Sequence, residues 1–125
     1  MGQNFLIDTN VVIDVFGNVM PENVKQKVRQ MSPIVSAVTY MEALGWHRAT
    51  TAQLNILKIF MDNATILPIN KPVIDETVRI RQQKKIALGD AIIAATAIVH
   101  NRVLVTRNED DFKSIDHLRL YNPWK

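Results

Sequence analysis

Ala87-Leu88-Gly89-Asp90-Ala91-Ile92-Ile93-Ala94-Ala95-Thr96-Ala97-Ile98-Val99 is the stretch on which the fold turns. By hydropathy alone its apolar part, from Ala91 to Val99, is a buried strand or a buried helix. Its alanines, its length and Asp90 placed as a cap argue for the helix. The small residues also let such a helix approach a sheet closely. Read as a helix, the run falls between strand-sized segments and preserves a regular alternation.

That alternation extends in both directions. Asn4 to Ile7, Pro33 to Ser36, Ala64 to Leu67, Val103 to Val105 and Arg119 to Tyr121 are short apolar runs, read as strands. Thr9 to Phe16 is read as a helix ended by Gly17-Asn18. Pro21 opens another in the favoured first-turn position. There Val24, Val28 and Met31 recur at helical spacing, while Lys25, Lys27, Arg29 and Gln30 face out. Further helices are expected over Thr39 to His47, Thr51 to Asn63 and Lys71 to Gln83, with Leu54, Leu57 and Met61 on one face of the second. Asn108 is placed to cap a short one reaching Ser114. Strands alternating with helices imply an α/β three-layer fold around a mainly parallel central sheet of about five strands.

Composition sets bounds on function. The chain has 125 residues, 47% apolar and 22% charged, which suits one soluble globular domain over 1–125 and excludes disordered and fibrous classes. It has no cysteine, which removes disulfides, thiolate zinc sites, iron–sulfur clusters and cysteine nucleophiles, and fits a reducing, cytoplasmic compartment. Met1 to Leu6 lacks a basic start followed by an apolar core, so no secretory signal is read there. Leu6 stands where a myristoylation signal after Gly2 would want Ser or Thr. The apolar run is too short to span a bilayer. A net charge of +3 suits an anionic partner without selecting one.

The acids are more informative than their number. In open parallel sheets, sites form beyond the carboxyl ends of the strands. Asp8 follows the first strand directly, Glu42 lies just past the second, Asp90 opens the apolar helix, and Asn108 to Asp111 follow the fourth strand. Each has a structural reading: Asp8, Asp90 and Asn108 as caps, Thr39 with Glu42 as a capping box, and Asp111 as an acid complementing a helix dipole. Four such positions on one rim repel one another unless a cation neutralises them. All-oxygen ligation would select Mg²⁺ or Mn²⁺ over zinc. Asp14, Asp62, Asp75 and Asp116 lie away from the strand ends and are read as solvated surface. Trp46 and Trp124 are read as packing residues. Arg79, Arg81, Lys84 and Lys85 precede Asp90 and would border the site as a rim for a phosphate backbone.

Four stretches in order resemble the PIN-domain ribonucleases, specifically the VapC-type toxins of VapBC toxin–antitoxin pairs. They are Leu6-Ile7-Asp8-Thr9-Asn10-Val11-Val12-Ile13-Asp14, Val35-Ser36-Ala37-Val38-Thr39-Tyr40-Met41-Glu42-Ala43-Leu44-Gly45, Leu88-Gly89-Asp90-Ala91-Ile92-Ile93-Ala94-Ala95-Thr96-Ala97, and Leu104-Val105-Thr106-Arg107-Asn108-Glu109-Asp110-Asp111-Phe112. The resemblance implies a PIN-like α/β/α sandwich and metal-dependent endoribonuclease activity leaving 5′-phosphate and 3′-hydroxyl ends. Asp8, Glu42 and Asp90 match the family's metal-holding carboxylates. Many members carry Asp where this chain has Asn108, so the fourth ligand is Asn108 or Asp111. Thr9, Asn10 and Thr106 match supporting polar positions. A homodimer, a VapB-type antitoxin and an RNA substrate, transfer RNA being a frequent one, are further implications.

Two rivals differ in class. A haloacid-dehalogenase-like phosphatase would open with Asp-x-Asp after a strand, but here the second acid is Asn10. A non-catalytic PIN module that only binds RNA or a partner usually loses an acid, and this chain keeps three with one more in the fourth block.

Overall fold

The computed structural model describes residues 4–17 and 19–125. The readings at Met1 to Gln3 and at Asn18 lie outside the described residues. The order is β1 (Phe5–Ile7), α1 (Thr9–Phe16), α2 (Glu22–Arg29), β2 (Ile34–Ser36), α3 (Ala37–Leu44), α4 (Thr51–Asp62), β3 (Thr65–Leu67), α5 (Lys71–Gln83), α6 (Leu88–Val99), β4 (Val103–Val105), α7 (Glu109–Phe112) and β5 (Arg119–Tyr121).

The deciding run is a helix. Along α6 Ala91, Ile93, Ala94, Ala95, Thr96 and Ala97 are all buried. A strand covered on both faces would bury such a run too; what distinguishes this one is its length, twelve residues from Leu88 to Val99, enclosed by its neighbours. Thr96 turns its hydroxyl onto the Ile92 carbonyl at 2.7 Å, which satisfies the one polar side chain in that buried stretch.

Among the described residues all hydrogen-bonded strand pairs are parallel. One ladder has the order β1-β4-β5 and the other is β2-β3. Register in the first ladder sets Ile7 level with Val105 and Val105 level with Tyr121. β2 lies beside β1. Beyond the ladder, the Asp8 amide donates to the Val105 carbonyl at 3.0 Å and the Thr106 amide to the Tyr121 carbonyl at 3.0 Å. These bonds carry the sheet one residue further and fix the backbone where the site begins.

Adjacent residues on β1 and β4 serve opposite cores, as the two-residue period of a strand requires. Leu6 and Leu104 join Val73, Ile80, the buried face of α6 and Phe112. Ile7 and Val105 join Val11, Val12, Val24, Val28, Leu57 and Met61. Helices α5, α6 and α7 therefore cover one face, and α1, α2 and α4 the other. This is the three-layer α/β/α arrangement.

Several local expectations are corrected. α3 begins at Ala37, not Thr39, because Ser36 ends β2 in extended geometry and its Oγ accepts the Thr39 amide at 3.1 Å. The Thr39–Glu42 capping box therefore does not form; the box in this fold is Thr50 with Gln53. Asp90 is not a cap. α6 starts at Leu88 after Ala87, which leaves Asp90 in the first turn, where a carboxylate favours the helix dipole. Pro21 stands at the cap of α2, one residue before the first turn. Asn108 occupies the cap of α7 without a capping hydrogen bond, and that helix ends at Phe112 rather than Ser114. No helix among the described residues is long and apolar enough to cross a membrane.

Candidate active site

The carboxyl ends of β1, β2 and β4 open onto one rim, and the sequence-selected acids face it within electrostatic reach of one another. Asp8 ends β1 with its residue only 3% exposed. Its Oδ1 accepts the Thr9 amide at 2.8 Å, so it caps α1 as well. Its Oδ2 accepts the Thr106 hydroxyl at 2.8 Å. Thr106 in turn accepts the Asn108 amide at 3.0 Å. The loop after β4 is thus tied to the acid after β1, across 98 positions of sequence.

A hydroxyl chain ties in the second acid. The Thr9 hydroxyl donates to Glu42 Oε1 at 2.7 Å and lies 3.0 Å from Thr39 Oγ. Thr39 Oγ is 3.4 Å from Ser36 Oγ. Ser36, Thr39 and Thr9 are all buried. Together they fix α3 against α1 and aim Glu42 into the rim. Gly89 makes room for it: a Cβ there would stand 2.8 Å from Glu42 Oε2. Glycine early in a helix costs about 1 kcal/mol against alanine. Here the missing side chain admits a carboxylate to the first turn of α6, where that charge is favoured.

Electrostatics join the remaining acids. The Asp8 carboxyl is pushed up to about 6, chiefly by burial and further by Asp90 and Glu42, against the pull of the Thr106 and Thr9 hydrogen bonds. Asp90 is raised as well, first by burial, then by Asp111 and Glu42. Asn108 Nδ2 donates to Asp111 Oδ2 at 2.5 Å, so the two candidates for the fourth position act as a pair. Among the described residues no three acidic or histidine side chains converge closely enough to enclose an ion. Like charges stand apart, and the donor set is wholly oxygen. That chemistry fits a hard divalent cation.

The other predicted positions separate. Thr9 and Thr106 hold the acids directly. Asn10 is exposed on the cleft side of α1, with no bond to the acids. Arg79 is ion-paired to Glu76 through Nε at 2.8 Å, and Lys84 donates to Ser114 Oγ at 2.6 Å. Arg81, Lys84 and Lys85 line an open cleft of about 430 Å³ at the α5–α6 turn. Asp14, read as solvated surface, is instead half-buried. Its carboxyl is raised by burial, partly offset by Arg107. Sequence reasoning passed over Ser36, Gly89 and Arg107. Gly89 carried a signal, since a glycine beside an acid at a helix start asks what needs the space.

Both Asp8 oxygens are occupied by donors and the side chain is buried, which disfavours it as a covalent nucleophile for the phosphatase rival.

The model of the family described as PIN domain matches residues 5–118. The ribonuclease VapC1 of Methanocaldococcus jannaschii is 29% identical, with 94% of this chain and 86% of that protein covered. A solved toxin–antitoxin complex from Klebsiella pneumoniae superposes with a TM-score of 0.79 at 31% identity, covering 96% of this chain and 98% of that one. The DNA-bound VapBC of Salmonella typhimurium has the same fold, with a TM-score of 0.82 at 23% identity and the same coverage.

Burial of Asp8 gives a pH signature. Its carboxyl goes from 3.8 in the unfolded chain to about 6 when folded. The native state holds that proton more tightly, so its contribution to stability falls as pH rises from about 4 to above 6, by on the order of 3 kcal/mol. In chelator, Asp8→Asn should gain stability relative to the unsubstituted chain across that window, read by urea unfolding. A difference that stays constant with pH contradicts this.

Proposed function

The chain belongs to the PIN-domain family, and on that premise we propose that it is the ribonuclease toxin of a VapBC-type pair. It hydrolyses internal phosphodiester bonds of RNA with Mg²⁺ or Mn²⁺ and leaves 5′-phosphate and 3′-hydroxyl ends. One observation carries this reading: Thr106 and Thr9 hold Asp8 and Glu42 on one strand-end rim, where Asp90 stands within electrostatic reach of both and of Asp111.

Asp8, Glu42 and Asp90 would hold the ion, with Asn108 or Asp111 in the fourth position. When bound, a divalent ion supplies an activated water and a polarised phosphate. The chain's own part is orientation. Thr106 and the Thr9 amide fix the Asp8 carboxylate, and the Thr9 hydroxyl with the Gly89 gap fixes that of Glu42. Arg81 and Lys85, exposed beside α6, are suited to the RNA backbone, with Arg79 and Lys84 behind them. Transfer RNA is the substrate class to try first.

Cleavage of labelled RNA tests the reading. Activity should require Mg²⁺ or Mn²⁺ and fall by about a hundredfold or more in Asp8→Asn and Asp90→Asn. Gly89→Ala should keep or raise its melting temperature, because alanine favours the helix and only a flexible carboxylate tip must move, yet lose about tenfold in rate. Undiminished cleavage in both aspartate variants contradicts the proposal.

We also propose a single PIN domain over 1–125, a cytoplasmic setting, a VapB-type antitoxin partner and a homodimer. Exposed Met41 on α3, Ile56 and Ile59 on α4, and Ile74 and Val78 on α5 supply apolar surface for such contacts. Light scattering after size exclusion should give twice the chain mass of 14.2 kDa at micromolar concentration. A monomer there would exclude the dimer.

A further inference from the structure

Arg107 lies between two residues of the site. On one side Thr106 donates to Asp8; on the other Asn108 pairs with Asp111. Its guanidinium carbon sits 5.1 Å from the centre of the Trp124 ring, within cation–π range. That ring is anchored. Trp124 packs against the α1–α2 core, its amide donates to Asn122 Oδ1 at 3.0 Å, and Lys27 holds the preceding carbonyl, of Pro123, at 3.1 Å. Arg107 is thus an exposed cation on a fixed platform.

Its donors are unspent. Arg29 and Arg79 are ion-paired to glutamates. Among the described residues Arg107 forms no ion pair, although Asp14 is near enough to feel its charge. Two open clefts meet at Arg107 and Asn108. One, of about 370 Å³, runs toward Asn10 and Asp14. The other, of about 340 Å³, runs toward Asn122 and Trp124. Asn108, which lines both clefts with Arg107, is the residue bonded to Asp111, so the clefts adjoin the acid rim.

We propose that Arg107, held over Trp124, is a substrate-positioning residue that binds a backbone phosphate of the RNA strand flanking the cleaved bond. The assignment rests on the ribonuclease reading above. A guanidinium suits the role because its planar fork gives a phosphate two parallel hydrogen bonds, while stacking on the indole limits the freedom lost on binding. Asp14 occupies the guanidinium's field when RNA is absent, and the phosphate competes with it. Because Arg107 bonds to none of Asp8, Glu42, Asp90 and Asp111 among the described residues, its loss is expected to weaken binding rather than the chemical step.

Steady-state cleavage of a labelled single-stranded oligoribonucleotide, measured across salt concentrations, tests this. Arg107→Gln should raise KM about tenfold with kcat within about twofold, and reduce the slope of log(kcat/KM) against log salt by about 1. Arg107→Lys, which keeps the charge but not the fork, should retain the salt slope with a smaller rise in KM. Trp124→Leu, which keeps apolar bulk but removes the ring face, should also raise KM less than Arg107→Gln. Unchanged KM and slope in Arg107→Gln overturn the proposal, as does a fall confined to kcat. A variant altered only in affinity for the antitoxin also overturns it and places Arg107 on the partner surface. If the unsubstituted chain cuts no RNA in Mg²⁺ or Mn²⁺, the ribonuclease reading fails separately. Fluorescence anisotropy of the same oligonucleotide then decides on Arg107: a reduced salt slope of binding supports it, and an unchanged one overturns it.

Discussion

A carboxylate taken out of water beside other carboxylates is the constraint around which this structure is arranged. Asp8 is almost wholly buried, yet it must end β1, cap α1 and face Asp90 and Glu42. Burial and repulsion raise its pKa, and two hydrogen bonds pull the other way without winning. The surrounding elements are placed to manage that charge. The β1–β4 ladder brings Thr106 to it. The β2–α3 junction delivers Glu42 through buried hydroxyls. α6 contributes both Asp90 and the gap that Glu42 fills. Remove the acids and the same fold could pack more stably; the retained charge points to a role other than stability.

The layered packing serves the same end. Helices on both faces bury the last two residues of β1 and β4, Leu6 and Ile7 and Leu104 and Val105, so their carboxyl ends emerge at a defined point. The small residues of α6 let that helix pack along α5 while touching α3 and β4, which brings Asp90 to the same end of the fold as Glu42. The slight excess of basic residues stays outside the acid cluster, on the α5–α6 turn and at Arg107. A basic exterior around an acidic recess admits a polyanion while leaving the recess selective for cations.

Much of this was legible in the sequence, because it depends on local pattern. Period and turn chemistry located every strand to within a residue and the long helices to within three, and the run from Ala91 to Val99 was readable from its alanines. Strand-end position singled out Asp8, Glu42 and Asp90, and the four ordered blocks carried the family. What was not legible depends on contacts between distant segments. Ser36 takes the cap from Thr39 because β2 ends there in extended geometry, and Ala87 displaces Asp90 for a similar reason. Thr9 meets Glu42 across 33 positions, and no local window holds that bond. Asp14 looked like surface because its neighbour Arg107 comes from the other half of the chain.

The most direct measurement is the proton count that accompanies metal binding. Mn²⁺ should be titrated by calorimetry into chelator-stripped protein at pH 6, in two buffers of different ionisation enthalpy. The buried Asp8 carboxyl, raised to about 6, predicts binding with release of a sizeable fraction of a proton, a release that fades by pH 8 and shrinks in Asp8→Asn. Mn²⁺ that does not bind, or that binds at pH 6 without releasing protons, would contradict the assignment of the rim acids as a cation cage.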